Sequence, residues 1–327
     1  MIFNKNLFIF LFNISIITLL TFFSLSLTDL IMIWFIMEIN NFIFMSFMSI
    51  NLNNKKMIFF YFFIQMMSSS LIIFALISSF INLNMMMVFI LSISLMLKLN
   101  IPPFHFWMII MINYLNWLLI IPILSIQKVI PFYILSFNIF NPMILLFMIM
   151  ISMILPPLMS INILNFKKIF LYSSINQSSW LLFLIFLKNL IWLIYFISYN
   201  YITILIIKLI NSFKLNFFFK MYNSFNFSIT NLFMFFNMAS LPPFMFMFFK
   251  WYNMFLFMNS MNFNLIFFIL MLNSLLMTYI YINMINISMF KTFYMYKFIP
   301  FKFNFSYYNM IIMIMSFIFL SNLIIIM

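Results

Sequence analysis

The sequence predicts an all-α membrane protein, a single polytopic bundle of about eleven transmembrane helices with two of them discontinuous. Three observations carry this reading. Of the 327 residues 68% are hydrophobic and 5% charged, whereas soluble domains carry about 25% charged residues. Apolar runs close to the ~20 residues that cross the bilayer hydrocarbon recur from one end to the other. Inside two of these runs stand Pro-Pro-Phe interruptions, Ile101-Pro102-Pro103-Phe104 and Leu241-Pro242-Pro243-Phe244, about 140 residues apart. No polar stretch is long enough for an extramembrane domain, so residues 1–327 read as one membrane domain.

The spans divide at joints rich in asparagine and lysine. The first covers about 7–27. The second, about 29–50, begins behind Thr28 with Asp29 placed as an N-cap for the orphan amides of the first turn. The third, about 57–81, follows the polar joint from Asn51 to Lys56. The fourth, about 85–111, contains the first diproline. Proline removes a backbone donor and clashes with the preceding turn, so the pair forces a break where lipid tolerates none. The fifth, about 114–138, carries Lys128 at its middle, just ahead of Pro131. The sixth, about 142–163, holds Pro156-Pro157 with no charge nearby, a kink close to its loop end. The seventh and eighth, about 168–187 and 190–210, are separated by Lys188. The ninth, about 226–257, contains the second diproline; the tenth covers about 263–290 and the last about 307–327. With no glycine in the chain, close helix contact falls to serine, in Ser68-Ser69-Ser70, Ser92 with Ser94, and Ser178-Ser179.

Charge tests the span count independently. If the spans alternate in direction, Lys5, Lys55, Lys56, Lys167, Lys168, Lys214, Lys220, Lys291, Lys297 and Lys302 share one side, and Lys188 alone faces the other. The positive-inside rule then puts the N-terminus on the matrix side of a mitochondrial inner membrane. The net charge of +13 is spread over short loops between spans, which excludes a nucleic-acid surface and leaves phospholipid as the surroundings. Absence of cysteine excludes disulfides and iron–sulfur or thiolate chemistry. The bias toward Phe, Ile, Asn, Lys and Met follows codons rich in A and T. The 36 methionines fit a code that reads one further such codon as Met, as in an organellar gene. Residues 1–12 show no Arg/Ser-rich transit pattern, which an organelle-encoded protein would not need.

The chemistry must come from few ionisable groups. Asp29 and Glu38 are the only acids. Glu38 lies nine residues into an apolar helix, where a charge costs about 2.5–3.5 kcal/mol on the insertion scale and therefore requires a partner. Lysine and His105 are the only candidates. Lys98 stands four residues before Pro102, at the end of a half-helix whose free carbonyls and negative dipole end favour a cation. Lys128 precedes Pro131, and Lys250 follows the second break by about two turns. Lys208, near a span end, can snorkel to the interface. Desolvation draws a buried amine toward proton exchange at physiological pH while a neighbouring carboxylate pushes the other way, and Glu38 with Lys98 would titrate as one coupled system. His105 either lines a hydrated cavity at the break and passes protons or caps freed backbone groups there. It cannot hold haem or copper alone, and no metal or cofactor site is expected. These groups mark a path for protons or cations, or else structural ion pairs.

Lys98-Leu99-Asn100-Ile101-Pro102-Pro103-Phe104-His105-Phe106-Trp107, then Gln127-Lys128, then Tyr172-Ser173-Ser174-Ile175, then Leu241-Pro242-Pro243-Phe244 with Lys250-Trp251 form an ordered set. In order and approximate spacing, across nearly the whole chain, the set resembles the chain 2 family of mitochondrial NADH–ubiquinone oxidoreductase, respiratory complex I. The length suits the animal form, in which the first three helices of the family fold are lost. The resemblance implies an antiporter-like subunit with inverted five-helix repeats at about 7–138 and 142–290 and a final helix at about 307–327. It implies proton translocation coupled to electron transfer from NADH to ubiquinone elsewhere in the complex. Glu38 and Lys98 would be the carboxylate–lysine pair, Lys128 the central relay lysine and Lys250 the terminal one. The chain itself would bind no nicotinamide, flavin, iron–sulfur cluster or quinone, and would work as a hetero-oligomer with other membrane-arm subunits. Phe246, a shortened Asn165–Lys168 loop and Gln177 depart from the family pattern of glycines and a histidine at these places; they bear on a side route through the seventh span.

Rival classes fare worse. A cytochrome b or oxidase core needs several histidines, and an ATP synthase channel subunit needs an intramembrane arginine, which this chain lacks. Another antiporter-like cation/proton transporter subunit, or a structural membrane-arm subunit without transport, are the remaining alternatives.

Overall fold

A computed structural model describes residues 2–81, 84–137, 140–163, 165–188, 190–212, 235–241, 245–260 and 264–295. Among these residues every regular element is helical. They are α1 (Ile2–Leu25), α2 (Leu30–Asn51), α3 (Lys55–Phe80), α4 (Asn84–Leu99), α5 (Phe106–Tyr114), α6 (Trp117–Leu124), α7 (Val129–Ser136), α8 (Pro142–Ser160), α9 (Phe166–Phe186), α10 (Ile191–Ser212), α11 (Met245–Ser260) and α12 (Asn264–Met295). A 3₁₀ turn, Ile126–Lys128, joins α6 to α7. The expected eleventh span, Pro242 to Phe244, and Lys214, Lys220, Lys297 and Lys302 lie outside the described residues.

The asparagine joints work as helix starts. Asn54 Oδ1 accepts the Lys56 N–H at 3.2 Å, Asn141 that of Met143 at 3.1 Å and Asn165 that of Lys167 at 3.1 Å. Each satisfies one of the orphan amides of a first turn. Asp29 occupies the N-cap position of α2 and its backbone carbonyl takes the Ile33 N–H, but its side chain makes no capping bond and is exposed. The expected carboxylate cap is therefore not formed.

Helix ends meet a different constraint. The left-handed backbone conformation that closes many helices is glycine's by preference, and this chain has no glycine. Asn100, Lys188 and Ser240 take it instead, with φ of 61°, 56° and 54°. Asn100 and Ser240 do so in the same hydrogen-bonded frame. Ile101 N–H reaches the Met96 carbonyl and Asn100 N–H that of Leu97; Leu241 N–H reaches the Phe236 carbonyl and Ser240 N–H that of Asn237. This crossed pair of bonds is a Schellman end, made twice, each time two residues ahead of a diproline.

The fourth span is interrupted as expected, α4 ending at Leu99 and α5 starting at Phe106. The fifth span differs from expectation. It was read as continuous, yet it breaks into α6, the 3₁₀ turn and α7. Pro131 has no N–H for the Gln127 carbonyl and Pro122 none for that of Leu118, and proline rings crowd those same carbonyls. Between the two prolines the chain turns at Ser125 (φ −113°, ψ −84°) and tightens to an Ile126–Lys128 turn. Pro156 and Pro157 fall in the last turn of α8, where the Ser160 hydroxyl donates to the Pro156 carbonyl at 2.7 Å.

The chain sorts into two compact units, one of residues up to Ser152 with Gln177–Leu190, the other of Met153–Asn176 with residues from Ile191 onward. In the first, α2 packs on α1 and α3, α4 on α3, α5 on α3, and α7 on α1, α2 and α4. In the second, the Tyr195 ring of α10 meets Phe249 of α11 edge-on at 5.0 Å, and Asn273 of α12 hydrogen-bonds to Asn176 of α9.

Polarity is distributed opposite to that of a soluble bundle. Phe22, Phe59 and Phe80 are 67–76% exposed on the outside, while Glu38, Asn40, Asn41 and Gln65 are buried. An apolar exterior over internally satisfied helices is what a bilayer requires. Five helical stretches, Leu30–Asn51, Lys55–Phe80, Trp117–Ser136, Pro142–Ser160 and Phe166–Phe186, are long and apolar enough to cross it unaided. Most serines expected to pack are buried: Ser68, Ser69, Ser92, Ser94, Ser178 and Ser179; Ser70 is exposed. Lys167, expected in a loop, lies in the first turn of α9 and is buried.

Candidate functional site

The first break assembles a charged pair. α4 stops at Leu99 because Asn100 turns left-handed and Pro102 and Pro103 follow, which leaves Lys98 in the last turn. Its Nζ lies 3.3 Å from Oε1 of Glu38, which α2 presents from mid-helix. The two side chains are only 3% and 10% exposed. Asn41, one turn along α2, donates from Nδ2 to the same Oε1 at 3.4 Å, and Tyr61 of α3 lies close enough to feel the Glu38 charge. The Trp107 indole N–H, brought back by α5, donates to the Leu97 carbonyl at 3.3 Å and so occupies one acceptor of the exposed helix end. Asn40 is buried beside this cluster in sequence, its Oδ1 without a hydrogen-bond partner among the described residues.

A pair so enclosed is chemically consequential. Taking two charges out of water costs several kcal/mol per ion, an amount that attraction repays only when geometry and further hydrogen bonds are good. Separating the two groups removes that attraction and leaves each charge buried and unpaired.

Lys128 ends the 3₁₀ turn and is buried. The turn leads straight into α7, and α7 packs against both α2 and α4, the helices that carry Glu38 and Lys98. His105 is also buried, at the N-cap of α5, where its backbone carbonyl accepts the Met108 and Ile109 N–H groups at 3.1 and 3.4 Å. Its imidazole makes no N-cap bond to the first turn of α5 but interacts with the backbone of Pro103. The imidazole lies 4.4 Å from the Phe106 ring centre.

Lys250 belongs to the other unit. It sits on α11, is buried, and its Nζ donates to the Ser240 hydroxyl at 2.6 Å. Thus the two lysines beside the two breaks have different partners, a carboxylate for Lys98 and a hydroxyl for Lys250. Lys208 lies within α10.

Sequence reasoning missed Asn40, Asn41, Tyr61 and Ser240. A signal existed for some of them. Glu38, Asn40 and Asn41 form a polar run inside an otherwise apolar helix, and Tyr61, Gln65 and Ser68 recur at helical spacing on one buried face of α3. Ser240 had no local signal beyond its place before a diproline.

No family model matches the chain. It is similar to NADH-ubiquinone oxidoreductase chain 2 of Aedes aegypti, 36% identical over 163 residues that make up 48% of this chain and 47% of the relative. Against that protein the chain spans about half the length of the curated relative it matches. It is also similar to NADH-ubiquinone oxidoreductase chain 2 of Anopheles albimanus, 33% identical over 121 residues, 36% of this chain and 71% of the relative. In structure it is similar to a chain of respiratory complex I from Thermus thermophilus with bound aureothin. The TM-score is 0.71 at 14% identity over 85% of this chain and 70% of that one. The structural likeness establishes the fold, an all-helical membrane bundle; the sequence likeness goes further, and with it the chain belongs to the NADH-ubiquinone oxidoreductase chain 2 family.

Proposed function

We propose that this chain is a proton-translocating subunit of respiratory complex I, which couples NADH-to-ubiquinone electron transfer elsewhere in the complex to proton movement through buried side chains. The single observation that carries the reading is the enclosed Lys98–Glu38 pair, 3.3 Å apart at the end of a broken helix. A structural span has no need of a charged pair in hydrocarbon, where the charges are costly and characteristically functional. Broken helices at matching places are a feature of transporter folds. The repeated Schellman end at Asn100 and Ser240 supports two inverted repeats, about 7–138 and 142–290.

In this reading a change at the redox end of the complex alters the contact between Glu38 and Lys98. A proton released or taken up there passes by way of Lys128, with Lys250 at the far end of the relay and His105 at the first break. The chain holds no redox centre of its own. It lies in the mitochondrial inner membrane with the N-terminus on the matrix side, among other membrane-arm subunits and phospholipid.

The test is the number of protons moved per electron in assembled complex carrying Lys98→Met, measured in sealed vesicles and normalised to complex content. A reduced ratio is expected. An unchanged ratio removes Lys98 from the relay and leaves the chain a structural subunit.

A further inference from the structure

The second break offers an assignment that the relay alone does not make. Serine hydroxyls in the helices of this protein characteristically turn back on their own backbone: those of Ser68, Ser94, Ser152 and Ser198 each donate to a carbonyl three or four residues upstream at 2.7–2.8 Å. That is the local competition expected of serine. Ser240 departs from it. Its hydroxyl accepts from Lys250 Nζ at 2.6 Å, and its backbone is held at φ 54° by the Schellman end. Serine has no intrinsic reason to stand there, since the left-handed conformation costs a residue with a Cβ about 1–2 kcal/mol. The first break fills the equivalent place with asparagine, Asn100, at φ 61°.

The surroundings are polar without acid. No Asp or Glu occurs in Met153–Asn176 or beyond Ile191, so no carboxylate of this unit can serve Lys250 as Glu38 serves Lys98. Asn253, one turn beyond Lys250 on α11, is fully buried with neither amide atom hydrogen-bonded among the described residues. Asn237, one turn before Ser240, is buried with its Oδ1 likewise unpartnered. Buried polar atoms without partners are costly and uncommon, and sites of this kind hold ordered water.

We propose that Ser240 is the positioning residue for Lys250. Its hydroxyl, fixed by a left-handed helix end, orients the amine in a carboxylate-free, water-binding site that Asn237 and Asn253 complete. The proposal deepens the relay reading of Lys250 and rests on it.

The geometry supplies its own controls. Ser240→Gly removes the hydroxyl and accepts the left-handed backbone without penalty, so the break and the assembly are preserved. Ser240→Asn restores an oxygen acceptor on a residue that the first break shows to tolerate this conformation. Lys250→Met tests the underlying reading. The proton-pumping rate and its pH profile are measured in assembled complex for all three.

The expected result is that Lys250→Met lowers pumping. Ser240→Gly lowers the pumping rate by about tenfold, the rate equivalent of about 1.4 kcal/mol, with a displaced pH profile. Ser240→Asn stays within about twofold of the unaltered protein with the original profile, since rescue of one hydrogen bond restores an energy of that order. Pumping in Ser240→Gly equal to the unaltered protein, alongside a loss in Lys250→Met, overturns the Ser240 assignment and leaves the relay standing. Unimpaired pumping in Lys250→Met overturns both. A loss in Ser240→Asn as large as in Ser240→Gly, at equal complex content, also overturns the assignment, because backbone and not hydroxyl would then be at issue.

Discussion

Neutralising the Glu38–Lys98 pair separates what the pair does for the fold from what it does for protons. Unit charges 3.3 Å apart attract by about 5 kcal/mol at an effective dielectric of about 20. Each has already given up hydration worth several kcal/mol, so the intact pair adds little net stability. Removing one partner is another matter. Lys98→Met leaves Glu38 buried against Asn41 with no cation, and Glu38→Gln leaves Lys98 at the helix end without its carboxylate; breaking a buried pair in this way costs about 3–5 kcal/mol. A change of 1–2 kcal/mol alters cellular abundance several-fold, so each single variant is expected to lower the amount of assembled complex by about tenfold. The double variant Glu38→Gln with Lys98→Met carries no buried charge here. It should regain most of that loss, with a coupling energy of about 2–3 kcal/mol between the sites.

Proton pumping should follow a different pattern. Both singles and the double are expected to lose it, because the relay needs both members of the pair and each variant removes at least one. Native-gel quantification of assembled complex together with protons per electron in vesicles reads both quantities on the same membranes. Additive losses of assembly in the double would show that the two residues do not act on one another. Recovery of pumping in the double would show that the pair is a structural lock and not a relay element.

Further outcomes follow from the same geometry. Pro131→Ala returns an N–H to the Gln127 carbonyl and relieves a ring clash, a change worth about 3 kcal/mol in a helix interior. Assembly is expected to hold or rise while pumping falls as the turn at Lys128 straightens; a rise in both would separate the break from transport. Asn100→Gly is expected to be neutral and Asn100→Ala to cost about 1 kcal/mol, read as thermal stability of the assembled complex, since only the second forces a Cβ into the left-handed conformation without a tolerant side chain. Equal effects would contradict the φ argument. Trp107→Phe keeps the ring beside Tyr61 at 6.1 Å but loses the N–H to Leu97, an expected cost of about 1 kcal/mol.

The fold was legible in the sequence wherever one residue type acts alone on its own helix. Apolar runs placed the spans, asparagine and lysine placed the joints, and Pro102-Pro103 placed the first break, because each effect is local along the chain. The carboxylate–lysine pairing was also legible, though its partners lie 60 positions apart, since one mid-helix acid in hydrocarbon must find a cation and few were available. What escaped depends on cooperation. Pro122 and Pro131 are each tolerated in a membrane helix; only together, nine residues apart, do they deprive a single stretch of two ladder bonds and bend it at Lys128. The partnership of Ser240 with Lys250 escaped because a serine in lipid reads as a small packing residue, and nothing local reveals that its hydroxyl faces outward from its own helix. Tyr61 belongs to the same class, a side chain whose role is set by a neighbour on another helix, whereas Asn41 meets Glu38 within α2. Lys167 was misplaced because a helix start was read two residues late, and that shift moved it from a buried first turn to a loop.

A high-resolution electron cryomicroscopy map of the assembled complex tests the central claim most directly, by what surrounds the buried amines. The account predicts ordered water within hydrogen-bonding distance of Nζ on Lys98, Lys128 and Lys250, each water contacting at least one further polar group. Amines enclosed by dry hydrocarbon, or reaching a lipid headgroup or bulk solvent directly, would contradict it.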